Sequence, residues 1–123
     1  MKVKLYTYKG CDTCRKAVMF LAKYGIAHDI VPIRETPPTC SELAQMAEHY
    51  RGDLRKLFNT SGGTYKELKM KDRLPGMSDS EKIALLAQHG NLIKRPFALA
   101  GKVGMVGFKE AEWRENLGLG QTA

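Results

Sequence analysis

The sequence predicts an α/β fold, built on one mixed sheet with a helical segment inserted between its second and third strands. Three observations predict it. Apolar and polar residues alternate over residues 3–7 with the period of a strand, and apolar residues then recur at helical spacing from Cys14 to Ala22. The middle of the chain carries two helix-capping signals. The last third has two short apolar runs separated by a turn and followed by a helical pattern, which is typical of a hairpin and a terminal helix.

The two capping signals place the main helices of the inserted segment. Thr39 with Glu42, and Ser78 with Glu81, have the spacing of a capping box, in which the two side chains satisfy backbone N–H groups at the start of a helix. The other elements are expected as a strand over 28–33, short helical pieces over 53–58 and 65–70, strands over 97–100 and 103–106, and a helix over 110–117.

Length and composition indicate a single domain. The chain has 123 residues, enough to bury most of the surface that the unfolded chain would expose. We expect one domain over residues 1–117, with a helical insertion at about 39–92, and a flexible tail over 118–123. The longest apolar run, Ala17–Ala22, is too short to span a membrane, and the N-terminus lacks the pattern of a signal peptide. We therefore expect a cytoplasmic protein, and we expect it to be a monomer.

The chain is strongly basic, with a formal net charge of +7. Its lysines and arginines are spread along the sequence with acidic residues between them, and the densest cluster is Lys66, Lys69, Lys71 and Arg73. A basic face can attract phosphate backbones or acidic proteins. Neither a recognition helix nor an RNA-stacking motif accompanies the charge. We therefore expect a solvated basic surface and no direct nucleic-acid binding.

Cys11 and Cys14 form a Cys-x-x-Cys motif between the first strand and the first helix. This placement is the thioredoxin-like redox signature, because the unpaired amides and the positive dipole at the start of a helix favour a thiolate. Cys14 shares the apolar helix face with Val18 and Leu21, whereas Cys11 precedes the first helical turn. Cys11 is therefore the expected nucleophile, and Cys14 the expected resolving thiol, of a redox-active disulfide.

Two other interpretations of this motif remain open at this point. A Cys-x-x-Cys can be half of a zinc site, although the chain has no second cysteine pair and its three histidines lack the spacing of a zinc finger. The two cysteines can also be inert. The third cysteine, Cys40, falls at the start of a predicted helix, and we interpret it as incidental. We expect no metal and no bound cofactor.

Four segments, in order along the chain, resemble a known family. They are residues 10–17, 57–68, 92–96 and 106–108. With them the chain resembles the arsenate reductase/Spx family, which comprises glutaredoxin-coupled arsenate reductases, Spx-type transcription regulators and small reductase-like proteins, and it is most similar to the reductase-like branch. The resemblance implies a thioredoxin/glutaredoxin-like fold. It also implies a cis Arg95–Pro96 bond that places the proline against the dithiol.

The chain departs from the family pattern where arsenate reductases bind their oxyanion. The resemblance implies three arginines at that site, but only Arg95 is kept; Asn59 takes the place of the first, and Gly107–Phe108 that of the third. Because an asparagine amide does not replace a bidentate guanidinium, we expect little arsenate reduction. Cys14 stands at the second cysteine of the Spx-type switch, so an intramolecular disulfide with Cys11 can form.

Further residues are predicted to bind substrate beside the dithiol. They are Thr13, Arg15, Asn59, Lys94 and Pro96. Arg95 and Lys94 can stabilise the thiolate or bind a carboxylate, or they can be a surface pair beside a strand. The Thr13 hydroxyl can donate to the Cys11 sulfur or cap the helix. Asn59 can line the site or only shape a glycine-rich turn.

Two functions of different classes follow from these observations. The first is an enzyme, a thiol-disulfide oxidoreductase whose reductant is glutathione, another small thiol or a protein dithiol. The second is a redox-sensing regulator of the Spx type, which the resemblance implies would dock on the RNA polymerase alpha subunit. A family member without catalysis is a third alternative.

Overall fold

The computed structural model describes residues 2–119, and within that range it contains four strands and six α-helices. The strands are β1 (Val3–Thr7), β2 (His28–Pro32), β3 (Phe97–Ala100) and β4 (Val103–Val106). The helices are α1 (Asp12–Lys23), α2 (Cys40–His49), α3 (Gly63–Glu67), α4 (Met70–Arg73), α5 (Asp79–Gln88) and α6 (Glu110–Asn116). Short 3-10 helices lie at Leu54–Leu57, Leu74–Gly76 and Gly90–Leu92.

The strands form one mixed sheet in the order β2-β1-β3-β4. β1 and β2 are parallel and are connected through α1, whereas β3 is antiparallel to both β1 and β4. Helices α2 to α5 lie between β2 and β3 in the chain. This arrangement confirms the predicted fold class, a thioredoxin-like mixed sheet with an inserted helical segment.

All four residues of β3 are buried, because helices cover both faces of the sheet. Phe97 and Leu99 join the apolar cluster formed with the inserted helices, whereas Ala98 and Ala100 join the cluster formed with α1 and α6. Successive strand residues point to opposite faces, so one short strand contributes to both clusters. β3 therefore holds the two layers of helices to one sheet.

Trp113 anchors α6 to the second of these clusters. Its side chain is fully buried, and its indole N–H donates to the Gly107 carbonyl at 3.1 Å. The ring packs edge-on against Phe108, with 5.1 Å between centroids, and against Phe20, with 6.1 Å. The indole thus finds a polar partner without leaving the core.

Both predicted capping boxes are present. At α2, the Glu42 N–H donates to Thr39 Oγ1 at 3.1 Å, and the Thr39 N–H donates to Glu42 Oε1 at 3.0 Å. At α5, the corresponding distances between Ser78 and Glu81 are 3.2 and 2.9 Å. Each box satisfies two backbone N–H groups that a helix start otherwise leaves unpaired.

The helical piece predicted over 65–70 is two helices. α3 begins at Gly63, two residues before the predicted start, and α4 ends at Arg73. Lys69 separates them with a left-handed backbone, at φ 52°. The sequence gives no glycine or proline at this break, so the helical spacing alone predicts one continuous piece.

The C-terminal end of α6 is capped by Gly118 and Leu119. The Leu119 N–H donates to the Arg114 carbonyl at 2.9 Å, and its side chain packs against the cluster around Trp113. The rest of the predicted flexible tail, residues 120–123, lies outside the described residues. Among the helices between residues 2 and 119, none has the length and apolar character needed to cross a membrane.

Candidate active site

Three chain segments meet at one edge of the sheet. β1 and β2 are parallel, and their last residues pair as Thr7 with Pro32, so the segments that follow them start side by side. β3 runs in the opposite direction, with Phe97 paired to Tyr6, so the residues before it reach the same edge. Ligands of open α/β sheets bind at the carboxyl ends of the parallel strands. The Cys-x-x-Cys lies at this edge.

Cys11 is the N-cap residue of α1. Its backbone is extended, and its Sγ accepts the Cys14 backbone N–H at 3.3 Å. The Cys11 N–H donates to the Tyr8 carbonyl at 3.1 Å, which closes the turn between β1 and the helix. The sulfur that would become negative therefore takes the place of the capping side chain, where the helix dipole favours negative charge.

Cys11 is the N-cap of α1, so the interpretation of Thr13 as the capping residue is wrong. Thr13 lies in the first turn of α1 with an exposed side chain, so it does not cap the helix. Arg15 is also exposed, and its guanidinium pairs with Asp12 one turn earlier. Arg15 still lines the cavity at the dithiol, whereas Thr13 does not.

Arg95 precedes β3 and lies at the same edge of the sheet as Cys11, where its charge acts on the Cys11 thiol. Partial burial raises the pKa of the Cys11 thiol, but hydrogen bonds from the Cys14 thiol and backbone N–H oppose this effect. Arg95 lowers the pKa further through its positive charge and its polar N–H groups, so the pKa of the Cys11 thiol lies below its ordinary value. Cys11 is therefore more readily ionised than a free thiol.

Cys14 has the opposite environment. Its side chain is 3% exposed and packs on the inner face of α1. Burial, together with the hydrogen bond to Cys11 and the charge of Cys11, raises the pKa of the Cys14 thiol to about 12. Cys14 thus keeps its proton at neutral pH while its partner can lose it.

The Arg95→Ala variant is expected to raise the pKa of Cys11, because both the hydrogen bond and the charge of the guanidinium are lost. Alkylation by iodoacetamide at neutral pH should slow roughly three- to tenfold, since a pKa change of one unit alters the thiolate fraction tenfold. The pH dependence of alkylation, followed by mass spectrometry, measures the effect. Arg55→Ala is the matched control, because Arg55 pairs with Asp53 at a different cavity. An unchanged pH profile in Arg95→Ala would remove Arg95 from the site.

Tyr8 belongs to this site and is not predicted from the sequence. The centroid of its ring lies 4.6 Å from the guanidinium carbon of Arg95 and 5.1 Å from the guanidinium carbon of Arg34. Its hydroxyl accepts a hydrogen bond from Arg34 Nη1 at 3.0 Å. Such aromatic contacts stabilise a cation and fix its position. The available signal is the strand register: extending the Tyr6–Phe97 pairing brings Tyr8 level with Arg95.

The dithiol lies in a small cavity of about 260 Å³. Cys11, Cys14 and Arg15 line it together with Thr7, Tyr8, Gly10 and Val18. Pro96 is buried directly after Arg95, and the Arg95–Pro96 bond is cis, as the resemblance implied. The Pro96 carbonyl accepts the Gly107 N–H at 2.8 Å, which ties this segment to the end of β4.

Asn59 and Lys94 lie elsewhere. The Asn59 side chain lies against Gly62, and its backbone N–H donates to the Leu92 carbonyl at 2.7 Å. Lys94 lines a separate cavity of about 360 Å³ with Thr60. Neither residue lines the dithiol cavity, so their predicted role beside Cys11 has no contact to support it. Asn59 instead shapes the glycine-rich turn, which was its alternative interpretation.

Residues 2–119 contain no group of three or more His, Cys, Asp or Glu side chains arranged to hold a metal ion. Cys11 and Cys14 are free cysteines, and both line the cavity at the sheet edge. The arrangement is that of a dithiol in which one thiol is half-buried with a lowered pKa and the other is buried with a raised pKa.

A thioredoxin-like sheet with this dithiol at the start of α1 defines the class of protein. The chain belongs to the ArsC family, whose model matches residues 6–116. It is 44% identical over 116 residues to YusI, an uncharacterized protein of Bacillus subtilis, covering 94% of this chain and 98% of that one. The structure of an ArsC family related protein from Bacteroides fragilis superposes with a TM-score of 0.87 at 40% identity, covering 94% and 97% of the two chains.

More distant relatives include members of two named groups. An arsenate reductase of Rhizobium meliloti is 30% identical over 81% of this chain and 70% of its own length. A global transcriptional regulator Spx of Streptococcus agalactiae is 26% identical over 91% of this chain and 80% of its own length. Both groups that the sequence resembles are thus among the relatives.

Proposed function

We propose that the chain is a thiol-disulfide oxidoreductase in which Cys11 attacks and Cys14 resolves. The observation that carries this proposal is the inequality of the two sulfurs. Cys11 accepts a hydrogen bond from the Cys14 N–H at the helix start, and the charge of Arg95 helps to lower its pKa, whereas Cys14 is buried with its pKa raised to about 12. A low-pKa, accessible thiol beside a protected second thiol is the arrangement that exchange chemistry needs.

The reaction begins with the Cys11 thiolate attacking one sulfur of a substrate disulfide. A bond between Cys11 and that sulfur forms, the substrate S–S bond breaks, and the first substrate thiolate leaves. Cys14 then loses its proton and attacks Cys11 Sγ, which closes the Cys11–Cys14 disulfide and releases the second thiolate. Two electrons pass from the dithiol to the substrate, and an external thiol returns the pair to the reduced state.

The mixed disulfide also prepares Cys14 to act. Besides burial, the hydrogen bond and the negative charge of Cys11 raise the pKa of Cys14. Both contributions disappear once Cys11 is bonded to the substrate sulfur. The pKa of Cys14 therefore falls at the step that requires its thiolate.

We place this reaction in the cytoplasm, where a disulfide is transient, and glutathione or a protein dithiol serves as reductant. Arsenate is not the proposed substrate, although relatives are named arsenate reductases. Arg95 is the one guanidinium kept from the oxyanion site that the family resemblance implies. Asn59, which stands in the place of another, does not line the dithiol cavity.

A second candidate function is a redox sensor that binds the RNA polymerase alpha subunit. It is favoured by the relatives named Spx and by the position of both cysteines at one helix start. Closing the disulfide would take the Cys11 sulfur away from the Cys14 N–H and change the surface there. In this case the disulfide alters a partner surface and no substrate is turned over.

Capture of the natural partner tests both candidates. The Cys14→Ser variant loses its resolving thiol, so a partner that reacts with Cys11 should remain as a mixed disulfide and elute with dithiothreitol. A small thiol such as glutathione, or a reductase, is the outcome expected for the oxidoreductase. RNA polymerase subunits recovered without a covalent link would support the sensor instead. Both proteins also carry Cys40→Ser, since Cys40 is exposed. The control carries Cys11→Ser as well as Cys14→Ser, and it should capture nothing by disulfide.

A further inference from the structure

Arg34 is a third guanidinium at the dithiol edge, besides Arg15 and Arg95, and the mechanism above does not use it. We propose that Arg34, together with Arg95 and Tyr8, forms a subsite for a carboxylate group of the substrate disulfide. This inference rests on the proposed oxidoreductase function and names its substrate class: a small disulfide that carries an acidic group near its sulfur.

The sheet and the inserted segment fix the backbone from which Arg34 extends. Ile33 follows β2, is fully buried, and donates its N–H to the Thr7 carbonyl at 2.9 Å. Gly90 packs so closely on this backbone that a Cβ there would lie 2.0 Å from the Ile33 carbonyl oxygen and 3.1 Å from Arg34 Cα. Arg34 is thus an exposed side chain on a fixed backbone, at the level of the turn that leads to Cys11.

Tyr8 links the two guanidinium groups. It contacts Arg34 through its hydroxyl and its ring, and it contacts Arg95 through its ring. Tyr8 also lines the dithiol cavity together with Cys11. Tyr8 therefore connects the cavity of the nucleophile to both guanidinium groups.

The positive charge of this pair is not neutralised within the protein. Among residues 2–119, neither Arg34 nor Arg95 forms an ion pair with a carboxylate. Glu35 lines the same cavity as Arg34, but Lys9 lines it too, so the surroundings remain basic. A guanidinium has five N–H donors, and Tyr8 uses one from Arg34. The remaining donors suit the two oxygens of a carboxylate.

The space beside Arg34 suits a small molecule that also reaches Cys11. Arg34 lines a cavity of about 440 Å³, and Cys11 lines the neighbouring cavity of about 260 Å³. The two cavities share Thr7 and Tyr8 as walls, so they adjoin. Small-molecule sites commonly occupy about 300–1,000 Å³. A disulfide placed at Cys11 can therefore extend its acidic end past Tyr8 to Arg34.

The test compares two small disulfides of similar length, dithiodipropionate, which carries two carboxylates, and hydroxyethyl disulfide, which is uncharged. Second-order rate constants for oxidation are measured by mass spectrometry on full-length protein with Cys40→Ser, which removes the exposed third thiol. Arg34→Gln should lower the rate constant for dithiodipropionate about tenfold, which corresponds to about 1.4 kcal/mol in activation free energy. It should change the rate constant for hydroxyethyl disulfide less than about twofold. Tyr8→Phe keeps the ring but loses the hydroxyl that holds Arg34, so it should give a smaller loss, about threefold, also confined to the acidic disulfide.

Arg55→Gln is the matched control, since it removes one exposed positive charge at a different cavity. It should leave both rate constants within about twofold of the reference. Equal losses in Arg34→Gln and Arg55→Gln would mean that only net charge matters, and would overturn the subsite. Equal slowing of both disulfides by Arg34→Gln would overturn it as well. If neither disulfide reacts at Cys11, the oxidoreductase proposal falls and the subsite with it, whereas reaction without charge selectivity overturns the subsite alone.

Discussion

Cys11→Ser is expected to abolish reaction with small disulfides, with a loss of roughly a thousandfold or more, because a serine hydroxyl is neither ionised at neutral pH nor able to form the mixed disulfide. The measurement is the mass of protein carrying Cys40→Ser, which removes the exposed third thiol, after exposure to hydroxyethyl disulfide. Protein that keeps both Cys11 and Cys14 should lose the mass of two hydrogen atoms as the Cys11–Cys14 disulfide closes. Cys11→Ser should remain unchanged at Cys14, which is buried with its pKa raised to about 12.

The pH dependence of this reaction follows from the lowered pKa of Cys11. Since the thiolate is the attacking species, the rate should rise with pH through that pKa and then level off. The plateau should begin at a lower pH than for a free small thiol. Cys14→Ser should retain the first step and accumulate the mixed disulfide. Rapid modification of Cys14 in the Cys11→Ser protein would contradict the assignment of the two roles.

Local signals in the sequence were sufficient to predict most of the fold. The capping boxes at Thr39 and Ser78 involve residues three apart, so their hydrogen bonds depend on nothing distant in the chain. The alternation in β1 likewise reflects which residues face the core. The break at Lys69 was missed because a left-handed lysine has no local signature and the packing around it is tertiary.

The candidate site was predictable only where its parts lie close together in the sequence. The spacing of Cys11 and Cys14 indicates a dithiol at a helix start, which is where the structure places it. Tyr8 and Arg34 were missed because they meet only through the pairing of β1 with β2. Lys94 was included for its positive charge next to Arg95, and Asn59 through the family resemblance; the structure places Lys94 at another cavity and Asn59 in a turn.

The backbone that carries Arg34 depends on one glycine. Gly90→Ala is expected to lower the free energy of unfolding by about 2–4 kcal/mol, because overpacking a core commonly costs about 1–3 kcal/mol and here the obstacle is backbone. The added Cβ would lie 2.0 Å from the Ile33 carbonyl oxygen and 2.7 Å from its carbon, and neither atom can rotate away. To avoid this clash, the inserted segment must move away from the end of β2, or the backbone of Ile33 and Arg34 must shift. Urea denaturation followed by Trp113 fluorescence measures the loss.

Gly76→Ala is the matched control for this substitution. Gly76 also lies in a short 3-10 helix, but nothing lies within 4 Å of a Cβ built there. Its unfolding free energy should stay within about 0.5 kcal/mol of the wild type. At temperatures where Gly90→Ala remains folded, it should also show reduced preference for dithiodipropionate over hydroxyethyl disulfide, since Arg34 Cα lies 3.1 Å from the new Cβ position. A Gly90→Ala protein as stable as Gly76→Ala would mean that the contact between the inserted segment and the end of β2 is loose, and that the position of Arg34 is not fixed by it.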